Sequence, residues 1–470
     1  MDAIIKAIGK TPSLATLPLR VEEGYLPALL TQSGGAMRAL GAAMLRRETD
    51  RPIFVLCTDE TNAGTLAADL EAMLGESVVQ LTGRDLALRD IEVVSRQEEQ
   101  RRLRALDALY AGAGVAVCTV SGLLQRTLDI LENAAFTLRL GEGEGPEALE
   151  PRLLACGYRR SDMVEGPGQF SRRGGILDIF SPGAERPVRA EFWGDEIDSM
   201  GFFDTDTQRR AENIESFRVL PACESLVDPS RAGSIAKELL GRAARAERRE
   251  QTELARRLRR DAELISTGTP LPWSDRYLPE LYSEYSTALD FIAPDAIVYI
   301  DAPNRCAEKA KDISDSLADD LKILREGAFP VAETGDYLLP WKDACEKIAD
   351  FAVVMADAFS AGRYPLSPRS VLDTNVRQLP SYGGSAETAL ADVQRYLEND
   401  FRVVVFASDD RRADVLAAML ERNGIPPLRG FPNGALPPEG RATVAVGALS
   451  AGLEAPEAHL AVLTDTQIAA

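Results

Sequence analysis

Between residues 25 and 132, short apolar runs alternate with stretches of helical period, and that rhythm restricts the chain to folds built around a parallel sheet. Pro52 to Cys57, Val78 to Leu81 and Gly114 to Val120 read as strands, with Thr61 to Leu74 and Ser95 to Tyr110 as helices between them. Ser95 followed by Glu98 has capping-box spacing, which would satisfy amide donors at the start of a helix carrying Leu103, Leu106 and Leu109. From 134 to 222 the rhythm gives way to short β-rich segments, glycine pairs and aromatics, which points to a separate α+β domain. A proline-free Ala/Arg/Glu/Leu stretch, Ala232 to Ile265, and a strand at Ala296 to Ile300 then resume the first domain. Beyond a segment rich in Ser, Pro, Gly and Tyr, helices at Ala386 to Glu398 and Arg412 to Asn423 alternate with strands at Arg402 to Phe406, Ala442 to Val446 and Leu460 to Thr464. The expected division is an α/β domain in two parts, 1–133 and 223–355, interrupted by an inserted α+β domain at 134–222; a linker at 356–381 and a smaller α/β domain at 382–470 complete it.

A chain of 470 residues exceeds what one core usually organises, and 45% apolar with 27% charged residues supplies material for several. No apolar run reaches the roughly 18 residues a membrane span needs, and the start MDAIIKAIGK is too short and polar for a secretory signal, so a cytoplasmic protein without membrane contact is expected. Cys57, Cys118, Cys156, Cys223, Cys306 and Cys345 show no C-x-x-C spacing and His459 is the only histidine, which argues against a metal site and against any triad built on a histidine base. The cysteines read as small buried apolar groups, and His459 as a packed structural residue. A net charge of −20 repels nucleic acid unless a local basic surface overcomes it. Arg248, Arg249, Arg256, Arg257, Arg259 and Arg260 could form such a stripe, but Glu247, Glu250, Glu253 and Asp261 interleave with them, the pattern of a solvated mixed-charge face.

A phosphate-gripping loop after the strand near Leu29 and Leu30 would read G-x-x-x-x-G-K-[ST]: glycines admit the phosphates to backbone amides, lysine neutralises them and the hydroxyl holds magnesium. The chain has Gly34 and Gly35 there, but Met37 and Arg38 stand where lysine and the hydroxyl residue belong. The later strand Ile297 to Ile300 ends in Asp301-Ala302, without the Asp-Glu pair that would hold magnesium and orient water. Gly34, Gly35, Met37, Arg38, Asp301 and Ala302 therefore mark a degenerate nucleotide site that is not expected to bind; no catalytic residue, metal or cofactor is expected in this segment.

The most informative stretch runs Gly168-Gln169-Phe170-Ser171-Arg172-Arg173-Gly174-Gly175-Ile176-Leu177-Asp178-Ile179-Phe180, then Arg186 to Ser199, and closes with Phe203-Asp204-Thr205-Asp206-Thr207-Gln208-Arg209. Period-2 reading puts Val188, Ala190 and Phe192 on one face and Arg189, Glu191 and Trp193 on the other. Arginine and an exposed indole are the residues that anchor protein interfaces, and Arg173 could join them. Equally, Trp193 could pack under a loop while Arg189 pairs with Glu191 or Asp195; periodicity leaves both open.

This stretch resembles the UvrA-binding domain shared by UvrB and the transcription-repair coupling factors. In that family an arginine, Gly, apolar residues and Asp precede a PVR-x-[EDF]-F-x-G-D-E-I-D strand and an F-D-x-x-[TS]-Q-R close. The resemblance implies that Arg173, Arg189 and Trp193 contact UvrA, with Glu191 and Phe192 as neighbours; Trp193 stands where phenylalanine is common. The missing GKT loop and the absence of a tyrosine-rich hairpin favour the coupling-factor branch, whose front part is a degenerate UvrB-like module followed by a small domain. Resemblance to that branch implies a non-catalytic module that recruits UvrA to stalled RNA polymerase in nucleotide excision repair. It further implies a longer protein in which segments beyond Ala470 bind RNA polymerase and DNA and form an ATP- and Mg2+-dependent DNA translocase. Two other readings stand beside it: a UvrB-type damage-verifying ATPase, and a non-specific DNA-binding module using the Arg248 to Arg260 region.

Overall fold

A computed structural model describes residues 1–89, 96–127, 135–269, 271, 273–281, 285–383 and 385–468. Its centre is a seven-stranded sheet in the order Ser370–Asp373, Ala28–Thr31, Ala352–Ala356, Ile297–Asp301, Ile53–Cys57, Val115–Thr119, Val79–Leu81, with every neighbouring pair parallel. Runs such as Ile-Phe-Val-Leu-Cys are apolar at every position because helices cover both faces of a parallel sheet. Phe54, Leu56, Val298 and Ile300 point into one core, with the helices Gln97–Tyr110 and Pro303–Glu326. Ile53, Val55, Ile297 and Tyr299 point into the other, with the helices Asp2–Gly9, Met37–Thr49 and Glu60–Leu74.

A second sheet of six strands lies in the order Arg210–Asn213, Glu196–Phe203, Val188–Trp193, Ile176–Phe180, Gln169–Arg173, Arg159–Arg160; it is antiparallel except for the last pair. Phe136–Arg139 pairs antiparallel with Ser216–Val219, so the chain enters and leaves this region side by side, as an insertion must. The exit is held by buried ions: Glu224 pairs with Arg102 at 3.1 Å, and Arg84 forks onto Asp275 at 2.7 and 2.8 Å. Arg102 also donates to the carbonyls of Gly122 and Gln125, so the buried charges are hydrogen-bonded as well as paired.

The third sheet runs Arg377–Gln378, Leu453–Ala455, Leu460–Thr464, Arg402–Ala407, Ala442–Val446, Leu428–Arg429, the last four parallel. The helices Ala386–Glu398 and Asp410–Arg422 cover one face, packing on Val403, Val405 and Leu463. Val404, Phe406, Leu460 and Val462 on the other face share a core with Ile4, Ile8 and Met44 of the first unit.

The stretch Ala232 to Ile265 is two helices, Pro229–Arg248 and Thr252–Ser266, folded back at Glu250, whose φ is 62°. The segment expected as a linker at 356–381 supplies an edge strand to each of two sheets, Ser370–Asp373 and Arg377–Gln378. Ser95 of the expected capping box lies outside the described residues; the helix starts at Gln97 and its N-cap, Arg96, makes no side-chain cap bond.

Candidate partner-binding site

The hairpin of Val188–Trp193 and Glu196–Phe203 carries the arginine-and-indole row. Val188 and Ala190 are buried in the core of the inserted region, while Arg189, Glu191 and Trp193 lie on the opposite face, as strand alternation requires. Trp193 ends its strand at the turn with its side chain 84% exposed. Phe192 lies on the core side with Val188 and Ala190, as the alternation predicts, half-buried against the apolar cluster that includes Ala190 and Ile197.

Arg189 is held on all sides. Its Nε donates to Asp178 Oδ1 at 2.7 Å and its terminal nitrogen to Oδ2 at 2.8 Å; Gln208 accepts through both its side chain, at 3.1 Å, and its carbonyl, at 3.3 Å. The guanidinium also lies over the Phe203 ring, 4.5 Å from its centre, so only 16% of the side chain is exposed. The Asp178 carboxylate beside it holds the guanidinium above its ordinary range. Arg173, on the strand beyond Asp178, donates to Oδ2 at 2.9 Å and leaves half its side chain in solvent. Glu191 accepts from Ser199 Oγ at 3.1 Å and lies 3.8 Å from Arg210.

The structure thus brings Arg173 and Arg189 together on one carboxylate, with Glu191 and Trp193 on the same strand face as Arg189. Arg189 pairs with Asp178 rather than with Glu191 or Asp195. Asp178 and Gln208 were not singled out from sequence. A lone carboxylate within Ile-Leu-Asp-Ile-Phe could have been noticed, since a charge inside an apolar strand needs a buried cation.

The degenerate nucleotide positions meet at the carboxyl ends of the central strands, where open parallel sheets place their ligands. Met37 is buried at the start of its helix. Arg38 reaches across to Asp301, donating from Nε at 2.8 Å and forming a second, shorter bond, and also reaches Asn62 Oδ1 at 3.0 Å. Burial nevertheless pushes the Asp301 carboxyl above its usual range. Gly35 has φ 54° and lies so close to Gln378 that a Cβ there would come within 2.8 Å of that side chain. Ala302 caps the next helix at φ 49°. The cation at Arg38 is committed to Asp301, and Met37 offers no charge.

Four of the six interleaved arginines of the helical pair are engaged. Arg259 and Arg256 pair with Glu247 and Glu253, Arg257 stacks over Phe329 and Arg260 over Trp273. Five cysteines are buried and Cys345 is partly so; burial raises the Cys57 and Cys223 thiols to about 12. His459 stacks on Phe401 at 5.4 Å.

Residues 136–224 match the family described as the UvrB interaction domain. The transcription-repair-coupling factor of Bacillus subtilis is 26% identical over 481 aligned residues, which cover 100% of this chain and 40% of that protein. That of Staphylococcus haemolyticus is 24% identical over 95% of this chain and 38% of its own length, so the chain spans about two fifths of the curated relatives it matches. Residues 136–224 are thus similar to the UvrB interaction domain, carried in a chain similar over its whole length to part of the transcription-repair coupling factors.

Proposed function

We propose that this chain is a recruiting module of transcription-coupled nucleotide excision repair and that the outer face of its inserted sheet binds UvrA. The observation that carries the reading is Trp193, 84% exposed on the same strand face as Arg189, whose carboxylate partner also holds Arg173, within the region that matches the UvrB interaction domain. An indole left in water at the end of a structured strand offers a large apolar area, and an exposed arginine on the same sheet offers a forked donor. In the complete protein, contact with RNA polymerase and DNA and ATP-driven translocation would belong to sequence outside these 470 residues.

The same proposal holds the strand-end pocket to be without nucleotide chemistry, because Arg38 and Asp301 neutralise each other where phosphate and magnesium would sit. Two titrations of the whole chain test the two halves. Arg173→Glu should weaken UvrA binding by at least roughly 2 kcal/mol with folding intact, and unchanged binding refutes the surface. Labelled ATP with magnesium should not bind; saturable binding in the micromolar range would instead support the UvrB-type ATPase.

A further inference from the structure

We infer that Asp178 is the positioning residue of this surface: it holds Arg173 in place for the partner, and Arg189 serves as its brace. The inference rests on the proposed UvrA contact and assigns its parts. Asp178 sits in the strand Ile176–Phe180, directly opposite Arg189 on one side and Ser171 on the other. At 1% exposure it cannot touch a partner.

Both its oxygens are used. Oδ1 accepts from Arg189; Oδ2 accepts from Arg189 and from Arg173. One carboxylate therefore faces two guanidinium groups, and the excess positive charge is displayed where exposure is greatest, at Arg173. Arg189 spends its remaining donors inward. It grips Gln208, which in turn donates to the Thr205 carbonyl, while Asp204 accepts from the amide and hydroxyl of Thr207. The close of the motif, Phe203 to Gln208, is thereby fastened over Asp178, with Phe203, Phe180 and Val164 forming a small apolar cluster on that side. An arginine held this way has already given up much of the side-chain freedom that binding would otherwise remove.

The test is UvrA affinity, by titration of the whole chain, for the parent, Arg173→Ala, Asp178→Asn and the double variant, with melting temperatures measured for each. Asp178→Asn should weaken binding roughly tenfold, yet add less than about twofold to Arg173→Ala, because its effect passes through Arg173. A purely structural aspartate would lower stability and multiply with Arg173→Ala instead, and that result overturns the inference. If Asp178→Asn binds like the parent while Arg173→Ala binds weakly, Asp178 has no positioning role and the surface itself stands. If neither Arg173→Ala nor Trp193→Ala changes affinity, the surface reading fails and takes this inference with it. Should Asp178→Asn not fold, heteronuclear relaxation of the arginine side-chain nitrogens in the parent decides: Arg173 should be as ordered as Arg189 despite its exposure, and a freely rotating Arg173 sinks the idea.

Discussion

Removing the Trp193 ring should cost the free protein almost nothing, since a side chain 84% exposed withdraws little apolar area from water. Trp193→Ala is expected to melt within about 0.5 kcal/mol of the parent while losing UvrA affinity; a large drop in melting temperature would mean that the ring packs against its own domain. Arg38 behaves in the opposite way. Arg38→Met leaves Asp301 buried without its cation, and destabilisation of about 2–4 kcal/mol at pH 7 is expected by denaturant titration. The sign with pH follows from Asp301, whose folded pKa is already raised and rises further without Arg38. A raised acid contributes most stability below its unfolded value near 4 and loses it as pH climbs through the folded value. The defect of Arg38→Met should therefore shrink as pH falls from 7 towards 5, and a defect that grows instead would show that Asp301 is not the group responsible. At this scale the row Arg189, Glu191, Trp193 was legible because a strand alternates with period two. Which carboxylate Arg189 would choose was not, because cross-strand register decides it and Asp178 lies eleven positions away in sequence.

At the scale of elements, Ile53–Cys57 and Arg402–Ala407 were among the easiest strands to read, since their interiors are apolar on both faces and only a covered sheet needs that. The break between Pro229–Arg248 and Thr252–Ser266 had no proline or glycine to announce it. Its signal was a change of phase: Ile235, Leu239, Ala243 and Ala246 would continue to 250 and 253, yet both are glutamates and the apolar face restarts at Ala255 and Leu258. Glu250 absorbs the reversal at φ 62°, a conformation that costs a side-chain-bearing residue roughly 1–2 kcal/mol. Glu250→Gly should consequently stabilise the chain by about 0.5–1 kcal/mol in thermal unfolding, after subtracting the extra freedom glycine gains when unfolded. Loss of stability would mean that the glutamate side chain holds the turn. The strands Ser370–Asp373 and Arg377–Gln378 escaped detection for another reason: four residues and two residues, set among Pro, Ser and Gly, carry too few positions for any period to register.

In the whole molecule, the last α/β unit has helices on only one face of its sheet, and the first unit completes the other. Val404, Phe406, Leu460 and Val462 meet Ile4, Ile8 and Met44 in one core, and Asp69 fastens the seam by accepting from the amide and hydroxyl of Ser450 at 2.7 and 2.5 Å. Ser13 and Asn375 bind Glu457 at a third point. The sequence announced a sheet buried on both sides but not what would bury it, because the covering surface comes from residues roughly 400 positions earlier. A shared core should unfold as one body. Phe406→Ala removes a ring that is 2% exposed and should cost about 3–5 kcal/mol. Hydrogen exchange should then accelerate together in the strand Arg402–Ala407 and in the helix Asp2–Gly9, at opposite ends of the chain. If the strand loosens while that helix keeps its protection, the two units are separate cooperative bodies that merely touch. Joint loosening would instead mean that the two units unfold as one body, in which the edge strand Arg377–Gln378 of the third sheet lends Gln378 to cover Gly35 of the first unit.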